Sequence, residues 1–360
     1  QRREAPVGSC RRRHDVILAG LLGSLLCAAS WSLAGPASAD SFQQQFDHAI
    51  ASFEKGDLKA AEAAVKKALH LNPNSVEALR LSGRISLKGR KPDSAAEEFT
   101  RALRIKPADA ETLNDLAEVY LAQGKAPEAE QTLLKAIQAD PSHAESYLDL
   151  AKLYESRRDI PAATKLYQSL LAVQPAQADA LFHLAVLQDG AGDAKGAKDT
   201  LAKLTKAHPK HADGWYQIGR MAERRNDLVE AAYAYKQAVA AKPDLVDAHY
   251  NLGFIYRSQN KPNEAEREFL EVLRYRPEYA EAHMNLGVVY TSVSKLDDAE
   301  HEYEAAVSLK PDYAEAHYNL GVFYELHRKD MPRALAQYRK YRELGGRDDR
   351  VERIVGSTFR

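Results

Sequence analysis

Cysteine is nearly missing: the 360 residues hold two, Cys10 and Cys27, and both precede residue 40. The rest of the chain can form no disulfide and has no thiol for nucleophilic or metal chemistry. No His-Glu-x-x-His pair, no glycine-rich phosphate loop and no nucleophile elbow occurs, which removes the common zinc-hydrolase, nucleotide-binding and serine-hydrolase readings. Charge of one sign is lacking too, since 50 basic side chains stand against 51 acidic ones, and nucleic acid finds no global attraction. The long uncharged run, Val16 to Ala39, lies near the amino end.

What the chain has instead is a period. Pro73, Pro107, Pro141, Pro175, Pro209, Pro243, Pro277 and Pro311 recur every 34 residues without a slip. Counting back from each proline sets eight repeats, and continuing the period adds a ninth, with starts at Phe42, Val76, Ala110, Ala144, Ala178, Ala212, Val246, Ala280 and Ala314. Apolar residues at positions 4, 7, 8 and 11 of the unit share one face of a helix, and those at 20, 24 and 27 share a face of a second. Position 8 is always Ala or Gly, position 20 is Ala from Ala61 to Ala299, and position 24 is large and apolar (Val65, Phe99, Leu133, Tyr167, Leu201, Tyr235, Phe269, Tyr303). Small residues let two backbones approach and a large one fills the groove they leave. Position 15, often Gly56, Gly124, Gly192, Asn226 or Asn260, suits the left-handed conformation that ends a helix. The proline then stops the second helix, because it lacks an N–H and clashes with the preceding turn. Each unit reads as a helical hairpin.

Trp215, Ile218 and Gly219, and Leu252, Gly253, Tyr256, Ala265, Phe269 and Pro277, stand at the offsets of the tetratricopeptide repeat signature. The chain resembles that family over roughly residues 42 to 344. The resemblance implies an all-α solenoid, a right-handed superhelix of about nine 34-residue hairpins spanning residues 40–346. Departures are local: Gln45 and His48 replace apolar residues in repeat 1, and repeat 9 carries one extra residue before Ala334. Such end units act as caps. Leu344, Gly345 and Gly346 read as a helix stop, and residues 347–360 as a closing cap with a short polar helix from Asp348 to Val355.

Residues 1–39 read as an export segment. Arg11, Arg12 and Arg13 precede the uncharged run, and Ala37, Ser38 and Ala39 offer the small residues a signal peptidase reads. The alternative is an uncleaved membrane anchor, since the run approaches the length of a bilayer crossing. Either way the basic flank holds the amino end in the cytoplasm and the repeats lie outside the inner membrane, periplasmic or bound to the cell envelope. Cutting after Ala39 removes five Arg with Glu4 and Asp15, leaving 45 basic and 49 acidic side chains and a formal charge of −4.

In the resembled family the first helices line the concave surface, with positions 2, 5, 6, 9, 12 and 13 facing inward. Position 6 ends in the ladder Asn251, Asn285, Asn319. Side-chain amides both donate and accept, so such a row can hold peptide backbone of any sequence, as a similar ladder does in the tetratricopeptide arm of the O-linked N-acetylglucosamine transferases; the other reading is a common consensus choice. Position 5 adds Tyr216, Tyr250, Met284 and Tyr318, and position 9 adds Phe254, Val288 and Val322. Repeats 2 to 4 offer Arg80, Arg84, Glu118, Leu148 and Lys152, a mixed, solvated surface. The acids at position 2, from Glu77 to Glu315, suit the first turn of a helix and exclude the lysine-based carboxylate clamp known in the family. His249, His283 and His317 are equivalent residues about one helix spacing apart, too far to share one metal ion, so they pack where Trp215 sits in repeat 6.

These observations lead to a non-catalytic scaffold with no cofactor and no metal, binding a protein or peptide segment through Tyr216, Tyr250, Asn251, Phe254, Met284, Asn285, Val288, Tyr318, Asn319 and Val322. Self-association into a structural assembly, and a subunit that selects substrate for an enzyme complex, are the alternatives.

Overall fold

A computed structural model describes residues 36–357, and side chains from 41 to 356. Among the described residues every regular element is helical. Nine hairpins follow in chain order: α1 (Pro36–Glu54) with α2 (Leu58–Leu71), α3 (Val76–Lys88) with α4 (Pro92–Ile105), α5 (Ala110–Ala122) with α6 (Ala126–Ala139), α7 (Ala144–Ser156) with α8 (Ile160–Val173), α9 (Ala178–Gly190) with α10 (Ala194–Ala207), α11 (Ala212–Arg224) with α12 (Leu228–Ala241), α13 (Val246–Ser258) with α14 (Pro262–Tyr275), α15 (Ala280–Ser292) with α16 (Leu296–Leu309), and α17 (Ala314–Phe323) with α18 (Met331–Glu343). A last helix, α19 (Asp349–Ser357), covers the ninth hairpin with its buried Val351 and Val355. The helical-repeat fold read from the period is the fold observed. The expected export run, its two cysteines and the anchor alternative fall on residues 1–39, nearly all outside the described residues. Among the described residues no helix is long and apolar enough to cross a membrane.

The local signals act where the period puts them. From repeat 2 onward each first helix starts on the first residue of its unit, and each second helix of repeats 1 to 8 ends two residues before the proline, as α2 does at Leu71 before Pro73. Position 15 is left-handed in repeats 1 to 8, at Gly56, Gly124 and Gly192, but also at Arg90, Arg158, Asn226, Asn260 and Ser294. The hairpin imposes that turn even where the side chain disfavours it.

The seam inside each hairpin is the contact between positions 8 and 24. A Cβ placed on Gly219 would come within 2.5 Å of the Tyr235 ring, and on Gly253 within 2.9 Å of Phe269. Tyr167, Tyr235, Phe99 and Phe269 are wholly buried against their small partners. In repeat 9 the extra residue widens Tyr324–Arg328 into a π-helical turn, ended by Lys329 in the left-handed region. Tyr338 still meets Gly321, so the insertion is absorbed without losing the seam.

Successive first helices approach one another toward both ends of the array (α1 and α3, α3 and α5, α5 and α7, α13 and α15, α15 and α17), whereas successive second helices approach less closely. First helices therefore line the tighter, inner side. Tyr256, Tyr290 and Tyr324 are buried core residues, and Tyr154 is half-buried with its hydroxyl on Glu130.

Gly253→Leu should force α13 and α14 apart, with an overpacking cost of about 1–3 kcal/mol or more. Because contacts join neighbours only, hydrogen exchange should rise in repeats 6 to 8 and stay unchanged in repeats 1 to 4; a rise spread over the whole array would contradict this account.

Candidate functional site

The inner wall of repeats 6 to 9 is built from α11, α13, α15 and α17. At position 5, Tyr216 leans on Tyr235 (ring centroids 5.6 Å apart), Tyr250 on Phe269 (6.0 Å) and Tyr318 on Tyr338 (6.4 Å). Each inner-wall ring is thus seated on the knob of its own hairpin. At position 9, Phe254 is 42% exposed, and Val288 and Val322 are half-buried. Met284, the fourth residue of the position 5 row, is turned inward and only 2% exposed.

The asparagine ladder is not uniform. Asn251 donates to the Tyr235 hydroxyl at 3.1 Å. Asn285 is 1% exposed; its amide donates to the Tyr250 hydroxyl (3.1 Å) and to the Glu281 carbonyl (2.7 Å), and its oxygen accepts from Arg257. Asn319 stays half-buried and donates to the Glu315 carbonyl at 2.9 Å. Of the ten residues named from sequence, Met284 and Asn285 therefore support the wall from behind, while the other eight reach its surface in part.

A second regularity links position 12, on the wall, to position 24, inside the hairpin. Where position 24 is Tyr, position 12 takes its hydroxyl: Tyr167 with Glu155 (2.5 Å), Tyr235 with Glu223 (2.8 Å), Tyr303 with Thr291 (3.3 Å), and Tyr338, shifted by the extra residue, with Glu325 (2.6 Å). A buried phenol needs such a partner. Where position 24 is Phe99 or Leu133, position 12 is Leu87 or Leu121. Asp189 opposes Leu201 but binds Arg224 and Gln217 of the next repeat. Arg257 opposes Phe269 and sits over the Phe254 ring at 4.7 Å.

Other aromatics join the wall from position 34. Tyr279 meets Tyr250 edge to face at 5.4 Å, and the Lys310 ammonium lies 4.9 Å from the Tyr313 ring. Sequence reasoning passed over both, because Ser75, Asp109, Gln177 and His211 at that position cap the following helix. Burial raises the Tyr250, Tyr303 and Tyr313 phenols above their ordinary value, Tyr303 to about 12, while the charge of Arg257 works in the opposite direction on all three.

The three histidines do occupy the place of Trp215. Its indole donates to the Pro209 carbonyl (2.8 Å), and Nε2 of His249, His283 and His317 lies 3.0, 2.8 and 3.0 Å from the carbonyls of Pro243, Pro277 and Pro311. Nδ1 of His249 faces Glu268, and that of His283 faces Glu302, each at 2.6 Å. Burial disfavours the charge on His249 and His283, but two acceptors per ring outweigh it and raise both above the ordinary imidazole value.

At the other end, Phe46, Ile50, Phe53, Arg80, Leu81 and Arg84 help line a pocket of about 490 Å³. Arg80 is tied to Glu111 and Asp115, while Arg84 lies over the Phe53 ring at 5.6 Å. Of the surface read as solvated, the part at Arg80 and Arg84 lines a shaped concavity, signalled by the apolar run Phe46, Ile50, Phe53 at positions 5, 9 and 12 of repeat 1.

Asn285→Ala should cost about 1–3 kcal/mol in chemical denaturation, because it strands the buried groups that now use its amide; Asn319→Ala should cost less, and equal losses would contradict the distinction. For His249 and His283 the folded state holds the proton more tightly, so their stabilisation is full below about pH 6.5 and fades as pH rises through the raised folded-state value. The melting gap between the parent chain and a His249→Gln, His283→Gln double variant should be widest near pH 6 and shrink toward pH 8.5. A constant gap would show that packing alone is at stake.

Two tetratricopeptide repeat family models match, one at residues 46–110, 148–197, 187–246 and 292–349, the other at 86–150 and 223–288. Comparison with curated proteins finds no match. Among solved structures, the chain is similar to the C-terminal part of a repeat protein from Cytophaga hutchinsonii (15% identity, 67% of this chain and 99% of that one, TM-score 0.53). It is also similar to the Pseudomonas aeruginosa protein pilF (20%, 57% and 94%, 0.49) and to YrrB, described as having an unusual peptide-binding site (19%, 54% and 98%, 0.48). At 15% identity the Cytophaga structure speaks for the fold alone. The family models cover most of the array, and the chain belongs to the tetratricopeptide repeat family, whose members are in general non-catalytic scaffolds that bind protein or peptide partners.

Proposed function

We propose that this chain is a scaffold or adaptor of the cell envelope that holds an extended segment of a partner polypeptide against the inner wall of repeats 6 to 9. One observation carries the reading: Phe254, Val288 and Val322 form an apolar row that solvent reaches in three consecutive repeats, seated beside the Tyr216, Tyr250 and Tyr318 rings. Neighbouring helices stand about 8–10 Å apart and an extended chain advances about 3.3 Å per residue, so every third partner residue meets a new repeat. The Tyr216, Tyr250 and Tyr318 rings beside the row are each backed by a buried knob, and a rigid wall lowers the ordering cost of binding. Export rests on the basic flank, uncharged run and Ala37-Ser38-Ala39 of the amino end.

The reading is tested by placing a photo-crosslinking amino acid at position 254, and in a second variant at 229, in the cells that make the protein. Val229 is 79% exposed on the opposite, second-helix side and serves as the control. Crosslinks to a defined partner segment should form from 254 and not from 229; the reverse pattern would move the binding face to the outside. Fractionation of the same cells should find the chain outside the cytoplasm.

A further inference from the structure

Among the described residues, position 12 of the repeat has one occupant whose charge the fold leaves unpaired. Glu155, Glu223 and Glu325 receive phenol hydroxyls, and Asp189 receives Arg224. Arg257 has no hydroxyl to receive, since Phe269 stands opposite, and among the described residues no carboxylate pairs with it. Its two observed partners are neutral: the Asn285 side-chain oxygen and the Phe254 ring. Repeats 2 and 3, which also lack a tyrosine at position 24, carry Leu87 and Leu121 here. Half-burying a cation with neutral partners costs free energy that a leucine would not.

We infer that Arg257 recognises a carboxylate of the bound segment, so that the preferred partner is an extended peptide with an Asp or Glu flanked by apolar residues. This rests on the groove reading above and adds the chemistry of its occupant. The guanidinium is a planar fork. With one N–H on Asn285 and one face on Phe254, the remaining donors are left for a carboxylate, which accepts two parallel bonds. The acids near the rim do not neutralise the site: Glu281 is bonded to Lys310 at 2.7 Å, and Asp247 lies 3.9 Å from Arg276. Residues two apart in an extended chain share a face, so an apolar side chain beside the carboxylate lands on Phe254 or Val288.

The test pans a phage library of random 12-residue peptides against the full chain and its Phe254→Ala, Arg257→Leu and Arg257→Glu variants. The parent should enrich peptides with an Asp or Glu within two residues of an apolar side chain. Arg257→Leu leaves the buried Asn285 oxygen without its donor and should melt somewhat lower than the parent, yet, assayed well below that melting point, it should bind a synthetic copy of an enriched peptide about 10-fold more weakly or worse, the scale of lost charge-assisted hydrogen bonds. Arg257→Glu should enrich Lys or Arg at that place instead, and added salt should weaken the parent more than Arg257→Leu. Enrichment of purely apolar or basic peptides by the parent, or the same acidic peptides from parent and Arg257→Leu, would overturn the inference and leave the groove standing. No enrichment by the parent, or enrichment indifferent to Phe254→Ala, would bring down the groove reading and the inference with it.

Discussion

The close contact between a small residue at position 8 and a large one at position 24 sets the geometry of every hairpin. Its strength is visible where the sequence departs from the period. Repeat 9 has one residue too many, and the chain takes up a π-helical turn and a left-handed Lys329 while keeping Tyr338 on Gly321. A left-handed residue ends the first helix of the other hairpins as well, so the insertion costs only the local widening of one turn, whereas removing a buried aromatic costs about 3–5 kcal/mol. The seam therefore survives the insertion.

The same contact decides which polar residues on the inner wall are free for other uses. A tyrosine knob brings a hydroxyl into the hairpin, and the wall must supply its acceptor. Glu155, Glu223 and Glu325 are committed to that task, and Thr291 shares a hydrogen bond with the Tyr303 hydroxyl. Asn251 is likewise engaged by Tyr235. Phenylalanine at 269 makes no such demand, and its wall partner Arg257 turns instead to the neutral Asn285 oxygen and the Phe254 ring. A single oxygen atom in the core thus changes what the surface of one repeat can recognise.

Much of the fold was legible in the sequence, because the period, the stops and the small-to-large pairing are all written inside one unit. The left-handed turns at Arg90, Arg158 and Ser294 were not, since closure of the hairpin imposes them against side-chain preference. The site was legible only as a face. Asn251, Asn285 and Asn319 share a letter and a position, yet Asn285 is buried by partners 28 and 35 residues away, Arg257 and Tyr250. Contacts one repeat apart are invisible to a reading that compares equivalent positions. The same limit hid Tyr279 and Tyr313, which reach the wall from the end of the preceding unit.

The two halves of the array differ in how their cores connect. From Ala222 through Val355 most buried apolar residues form one continuous cluster that includes the covering helix α19, beside a small one of Met284, Ala306 and Ala316, whereas repeats 1 to 5 hold several smaller clusters. In a chain stabilised by neighbour contacts, unbroken packing makes adjacent repeats move together. A wall that is to meet an extended segment at several repeats needs fixed spacing between its contact points, and the continuous cluster supplies it directly behind Tyr250, Val288 and Val322. The segment then bears most of the ordering cost, and a wall already in place adds little to it.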